Sequence, residues 1–263
     1  MIMAELYKID DLTPKQIASV CDHTFLATVE AYREKAEKVG GNAVEMRTKD
    51  FYDHINFAVS SDRKPYAVCI RPEDVRHAKA YLEEHGKTDI KIASVIGFPH
   101  GSWFTTEEKL DQINAVARYN ISEIDPVIDY ESLKKLKFPV VREDINKITK
   151  KAHEKGMLVK LIFETSQLSN ENIIQACWIA KACGVDFIKT STTFAGAGAK
   201  AEHLEIMRKN FDGGIKMSGG VNDKNVYELL KAVSGRNDGM IELNPMKIRI
   251  GESSLLSKLK SGY

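Results

Sequence analysis

The chain has 263 residues, 43% hydrophobic and 29% charged, with a formal net charge of +1, which is the profile of an ordinary globular protein with a sizeable core. So even a balance gives no basic surface for nucleic acid or membrane headgroups. Met1–Asp11 contains Glu5 and no long apolar run, so neither a signal peptide nor a membrane span is expected. Cys21, Cys69, Cys177 and Cys183 form no C-x-x-C pair, which predicts reduced thiols in a cytoplasmic protein, without disulfide or zinc.

The spacing predicts a first helix over Thr13–Val20, with Thr13 as N-cap and Pro14 at the first helical position, leading into a strand over Val20–Leu26. A helix over Val29–Val39 stops at Gly40-Gly41, and no clear period returns until the strand Tyr66–Ile70. Alternation is then regular: helix Pro72–Glu84, strand Lys91–Phe98, helix Thr106–Tyr119, strand Ile121–Ile128, and a helix-rich stretch Glu131–Lys155. Strand Leu158–Glu164, helix Asn170–Cys183, strand Val185–Lys189, helix Ala201–Asn210 and strand Gly214–Ser218 follow. Helix Asp223–Val233, a last strand within Met246–Ile250 and a short helix from Ser253 complete the chain. Eight strands separated by helices imply βαβ units and a parallel sheet, and eight units in one chain of this length favour a closed (β/α)8 barrel in a single domain, residues 1–263. A doubly wound open sheet is the alternative, but Asp22–Ala27 lacks the glycine-rich turn expected after its first strand.

In such a barrel the polar residues at strand carboxyl ends share one mouth. Here they are Asp22, Thr24, Cys69, Asp125, Lys160, Glu164, Lys189, Lys216 and Ser218. The run Val185–Ile188 ends in Lys189 and four hydroxyl residues, which has two readings. One is a structural ion pair or a snorkelling amine; the other is an amine kept neutral so that it attacks a carbonyl as a Schiff-base nucleophile. An isolated lysine, with a pKa of about 10.4, is neutral in only about one molecule in 2,500 at pH 7. Burial and a neighbouring ammonium can supply the roughly three units, about 4 kcal/mol, that the second reading needs. Lys216 is placed to be that ammonium, and Asp125 to move protons through water. Lys160 is a rival amine.

Asp22-His23-Thr24, Val68-Cys69, Val95–Gly101, Glu123-Ile124-Asp125, Glu164-Thr165, Asp186–Thr192, Ser218–Val221 and Arg249–Ser254 together resemble deoxyribose-phosphate aldolase, in that family's order and over nearly the whole chain. The resemblance implies a class I aldolase of deoxyribonucleotide catabolism that cleaves 2-deoxy-D-ribose 5-phosphate to glyceraldehyde 3-phosphate and acetaldehyde. It assigns Lys189 as the imine lysine, Lys216 as the residue that perturbs it, Asp125 as the proton relay, Asp22 as a supporting carboxylate and Cys69 as a site thiol. The substrate is expected on Thr24 and Thr192, with its phosphate on Gly219, Gly220, Gly251, Ser253 and Ser254, the stretch Gly251–Ser254 being taken as a helix amino terminus. No metal or organic cofactor is implied. The partners are a small phosphorylated sugar and acetaldehyde, with neither nucleic acid nor membrane, and a homo-oligomer is compatible with the sequence.

Three features depart from the family pattern. Asp22 and Cys69 are separated by 46 residues, so about 42–64 reads as an insertion. Thr193 stands where glycine is usual, and Asn222 where a basic residue is common. Two other functions therefore stand beside the first: a related class I lyase acting on another aldehyde or sugar phosphate, and a barrel kept as a binding module.

Overall fold

The apolar runs pair in parallel, each with the next along the chain, because a helix packs back over the sheet between them. In the computed structural model, which describes residues 5–259, eight strands close into one barrel: β1 (Cys21–Phe25), β2 (Ala67–Ile70), β3 (Lys91–Ile96), β4 (Glu123–Pro126), β5 (Leu158–Ile162), β6 (Phe187–Lys189), β7 (Gly214–Ser218) and β8 (Ile248–Glu252). Closure comes from β8 pairing with β1, Ile250 opposite Cys21 and Gly251 opposite Asp22. This is the expected (β/α)8 fold. No helix among the described residues is long and apolar enough to cross a membrane.

Several strands are shorter than their apolar runs. Val127, Ile128 and Phe98 are buried yet lie beyond the named strands, because the barrel mouth buries loop side chains as well as strand ones. The last strand runs to Glu252, and the short helix after it spans Leu255–Lys258, so Gly251 and Glu252 belong to a strand end rather than to a helix terminus. The first helix, Pro14–Ala18, is closed by a capping box between Thr13 and Gln16. A two-stranded antiparallel pair, Tyr7–Lys8 with Met240–Ile241, lies outside the barrel.

The stretch without a readable period holds an 18-residue helix, Ala43–Ser60, whose first amides are capped by Asn42 through Val44 and Glu45. Phe51, Ile55 and Ala58 are its buried residues, one helical face at spacings of four and three. Phe51 meets Phe25 edge-on, and the His54 ring stacks on His23 with centroids 3.5 Å apart. Arg47 fastens the helix by a two-pronged pair with Asp74, one contact at 2.6 Å, and by a hydrogen bond donated to the Ala27 carbonyl. The helix against the barrel between β1 and β2 is thus Ala43–Ser60. Glu30–Val39, which buries only Ala36, is the outer of the two.

Candidate active site

Side chains alternate between the two faces of a strand, so Asp22 and Thr24 of β1 point into the barrel and His23 points out. The same rule brings Cys69, Glu123, Asp125, Lys160, Lys189, Lys216 and Arg249 to the interior, where each is nearly or fully buried. They form one ionic network. Lys216 Nζ lies 2.5 Å from Asp22 Oδ2 and 2.8 Å from Asp125 Oδ2. Lys160 Nζ lies 2.6 Å from Glu123 Oε2 and 2.8 Å from Asp125 Oδ1. The Arg249 guanidinium reaches Asp22 Oδ1 and Glu123 Oε1, both at 2.5 Å, donates through Nε to the Pro245 carbonyl, and is stacked 3.9 Å over the Tyr66 ring. Among the described residues Lys189 has a single ionic partner, Asp125 Oδ2, at 2.9 Å. The Cys69 thiol touches the same oxygen at 3.6 Å.

Burial alone would push both central aspartates up, but the cations outweigh it. Lys216, Arg249 and Lys160 hold Asp22 well below the usual carboxylate range, and Lys160, Lys189 and Lys216 do the same for Asp125. Burial disfavours the ammonium of Lys216, yet Asp125 and Asp22 raise it well above the ordinary lysine value. Lys160 is raised likewise by Asp125 and Glu123. Burial and then Asp125 push the Cys69 thiol up, which leaves it neutral.

Above the network opens a cleft of about 570 Å³, whose lining includes Lys189, Thr24, Thr192, Ser218, Gly219, Gly220, Gly251, Ser253 and Ser254. All seven residues expected to bind substrate therefore face one space, and Lys189 joins that space to the charges beneath. Asp22, Asp125, Lys216 and Cys69 lie under it. Glu164, expected at a strand end, sits just past β5 in a left-handed conformation. It accepts the amide of Thr192 at 2.9 Å and also its hydroxyl, so it supports the lining from behind. Gly219, at φ +89°, is pressed against Gly198, and a Cβ on Gly198 would stand 1.9 Å from the Gly219 carbonyl oxygen; this turn admits glycine alone at both places. Asn222 lines the cleft with its amide turned to the Gly220 carbonyl at 2.8 Å. The sequence reading missed the roles of Glu123 and Arg249, although both lie in its motifs. The available signal was period-two spacing, which puts Glu123 on the face of Asp125 and Arg249 on the face of Gly251.

The sequence profile of the DeoC/LacD family of aldolases matches residues 22–243. The chain belongs to this family. It shares 39% identity over 202 residues with the deoxyribose-phosphate aldolase of Aciduliprofundum boonei, covering 71% of this chain and 89% of that one. With the deoxyribose-phosphate aldolase of Thermococcus gammatolerans it shares 44% over 158 residues, 59% of this chain and 69% of that one. The deoxyribose-phosphate aldolase of Aeropyrum pernix, solved as a tetramer, has the same fold, with a TM-score of 0.70 at 23% identity over 95% of this chain and 94% of that one. The DeoC/LacD barrel described here is accordingly a carbon–carbon lyase of the aldolase class.

Proposed function

We propose that the chain cleaves 2-deoxy-D-ribose 5-phosphate reversibly into D-glyceraldehyde 3-phosphate and acetaldehyde through an imine on Lys189. The observation that carries this reading is the distribution of ionic partners. Lys160, Lys216 and Arg249 are each held by two carboxylates at close range, whereas Lys189 has one and alone among them borders the cleft. A lysine bound by two buried carboxylates is locked as an ammonium; the least held one is free to act as an amine.

The neutral Lys189 amine adds to the C1 aldehyde of the sugar, and loss of water gives the iminium. Splitting five carbons into a three-carbon and a two-carbon aldehyde requires the C2–C3 bond to break. Its electron pair moves into the iminium to give an enamine, while the C3 hydroxyl proton passes to a base and C3 becomes the new aldehyde. Asp125, ionised and 2.9 Å from Lys189 Nζ, serves as that base through a water and returns the proton to the enamine carbon. Hydrolysis then releases acetaldehyde and restores the amine. The imine is the electron sink, so the reading calls for no metal or organic cofactor. The distal phosphate would lie against Gly219, Gly220, Gly251, Ser253 and Ser254, which line the same cleft as Lys189. Four free thiols, three of them buried, support a reducing, cytoplasmic setting. The test is borohydride reduction in the presence of acetaldehyde, followed by peptide mass spectrometry. The adduct is expected on Lys189, and an adduct confined to Lys160 or Lys216 refutes the assignment.

A further inference from the structure

We propose that Arg249 is a positioning residue that controls the protonation of Lys189, by supplying the one permanent positive charge in the buried network. The inference rests on the Lys189 imine reading. Its basis is a count: four cationic side chains, Lys160, Lys189, Lys216 and Arg249, share three carboxylates, Asp22, Glu123 and Asp125. An uncompensated charge in a buried network is costly, so the network is most stable when one cation gives up its proton. Arg249 cannot, because guanidinium stays protonated in proteins, and its two carboxylate partners strengthen that. Lys160 and Lys216 are each gripped by two carboxylates. The deficit falls on Lys189.

The groups facing this network from the surrounding strands do not change the balance. The Cys21 and Cys69 thiols are pushed up by burial and stay neutral. Glu164 accepts from the Thr192 amide and hydroxyl through Oε2 and from the Ser166 hydroxyl through Oε1, and carries no ion pair to the network among the described residues. His23 and Glu252 pair with each other at 2.6 Å, on the outward side of β1 and β8. Tyr66 presents its ring face to Arg249.

Removing Arg249's charge leaves three amines against three carboxylates, which balance with every amine protonated, Lys189 included. Removing a carboxylate has the opposite sign, since four cations against two favour amine deprotonation. The experiment measures the rate of borohydride-trapped imine formation with acetaldehyde against pH in the parent, Arg249→Met, Arg249→Lys and Glu123→Gln. The limb that rises with pH should move up by roughly one unit in Arg249→Met, a typical effect of one charge at a neighbouring buried site, with the plateau rate recovered at high pH. It should move down in Glu123→Gln and stay near the parent in Arg249→Lys, which keeps the charge and loses the fork. A uniform loss of rate at every pH in Arg249→Met would mark a purely structural arginine and overturn the proposal. If that variant does not fold, Glu123→Gln decides, because an unmoved or upward-moved limb there is equally fatal. Absence of any Lys189 adduct in the parent would instead reject the imine reading itself.

Discussion

Recognition of the substrate's phosphate should rest here on neutral donors, and replacing Asn222 by arginine should strengthen it. Among the described residues lining the cleft, Lys189 is the only cation, and that amine is committed to the aldehyde end in the proposed reaction. Lys200 and Lys224, both near the lining loops in sequence, are exposed and are not among the described residues that border the cleft. Asn222 spends its side chain on the turn itself, donating to the Gly220 carbonyl and accepting from the Lys224 amide at 2.9 Å. A neutral hydrogen bond contributes about 0.5 to 1.5 kcal/mol and one to a charged group about 1.5 to 3. A guanidinium at position 222 should therefore add about 1 to 2 kcal/mol in the transition state, or roughly five- to thirtyfold in kcat/KM. The assay compares deoxyribose 5-phosphate with unphosphorylated deoxyribose in the parent, Asn222→Arg and Asn222→Ala, the last isolating the loss of the turn bonds. If the preference for the phosphorylated sugar is no greater in Asn222→Arg than in Asn222→Ala, while Lys200→Ala or Lys224→Ala lowers it, a lysine already serves the phosphate and the reasoning fails.

Asp125→Asn should slow deuterium exchange into enzyme-bound acetaldehyde by about 10²- to 10⁴-fold with little change in KM; exchange at the parental rate removes Asp125 from the proton path. Thr193 holds φ +76°, where a β-branched residue is strained by about 1 to 2 kcal/mol, part of which glycine's greater unfolded-state freedom takes back. Thr193→Gly should raise the melting temperature by about 2 °C, and a fall would show that the threonine's own contacts outweigh the strain. Burial, and then His23, hold the His54 imidazole well below its ordinary value. The unfolded chain therefore binds a proton that the folded one refuses, and stability should fall as pH drops below about 6.5, by up to about 1.4 kcal/mol per unit. Below about pH 4, protonation of Asp22 and Asp125, both held low in the folded state, adds to the loss. Denaturant melts of His54→Phe should lack the upper part of this decline; an unchanged profile assigns it elsewhere.

The barrel was legible because its strands are short apolar runs between helices, a pattern that survives without any knowledge of partners. Gly214–Ser218 and Ala201–Asn210 have the boundaries their periodicity indicates. Helix Ala43–Ser60 was not legible, since its buried face of Phe51, Ile55 and Ala58 is interleaved with Lys49, Asp50, Asp53 and His54, which dilute the apolar period. Lys189, Lys216 and Asp125 could be singled out because a charge at the end of a buried strand is anomalous in itself. Glu123 opens its strand and Arg249 is the second residue of its own, positions where a charge looks like a solvated strand end. Only closure of the barrel, which sets the Arg249 fork across Asp22 and Glu123, reveals them as interior.

The interior of a parallel barrel is ordinarily filled by layers of branched apolar side chains, and here part of it is filled by ions instead. Taking any one partner out of a buried pair typically costs about 3 to 5 kcal/mol, whereas replacing a whole pair by apolar side chains is often neutral or stabilising. The network is therefore a poor way to hold the barrel together and a good way to hold one amine in a chosen state. Each carboxylate is shared: Asp22 between Lys216 and Arg249 with Lys160 at 3.9 Å, Glu123 between Lys160 and Arg249, and Asp125 among all three lysines. A change of charge at any member is thus felt at Asp125, the one carboxylate that touches Lys189. Arg249 is not among the described residues lining the cleft, yet it is coupled to the amine through Asp22 and Lys216 on one side and Glu123 and Lys160 on the other. Both routes end on Asp125, which is why the sign of a mutation's effect on Lys189 should follow the charge removed rather than the distance at which it is removed.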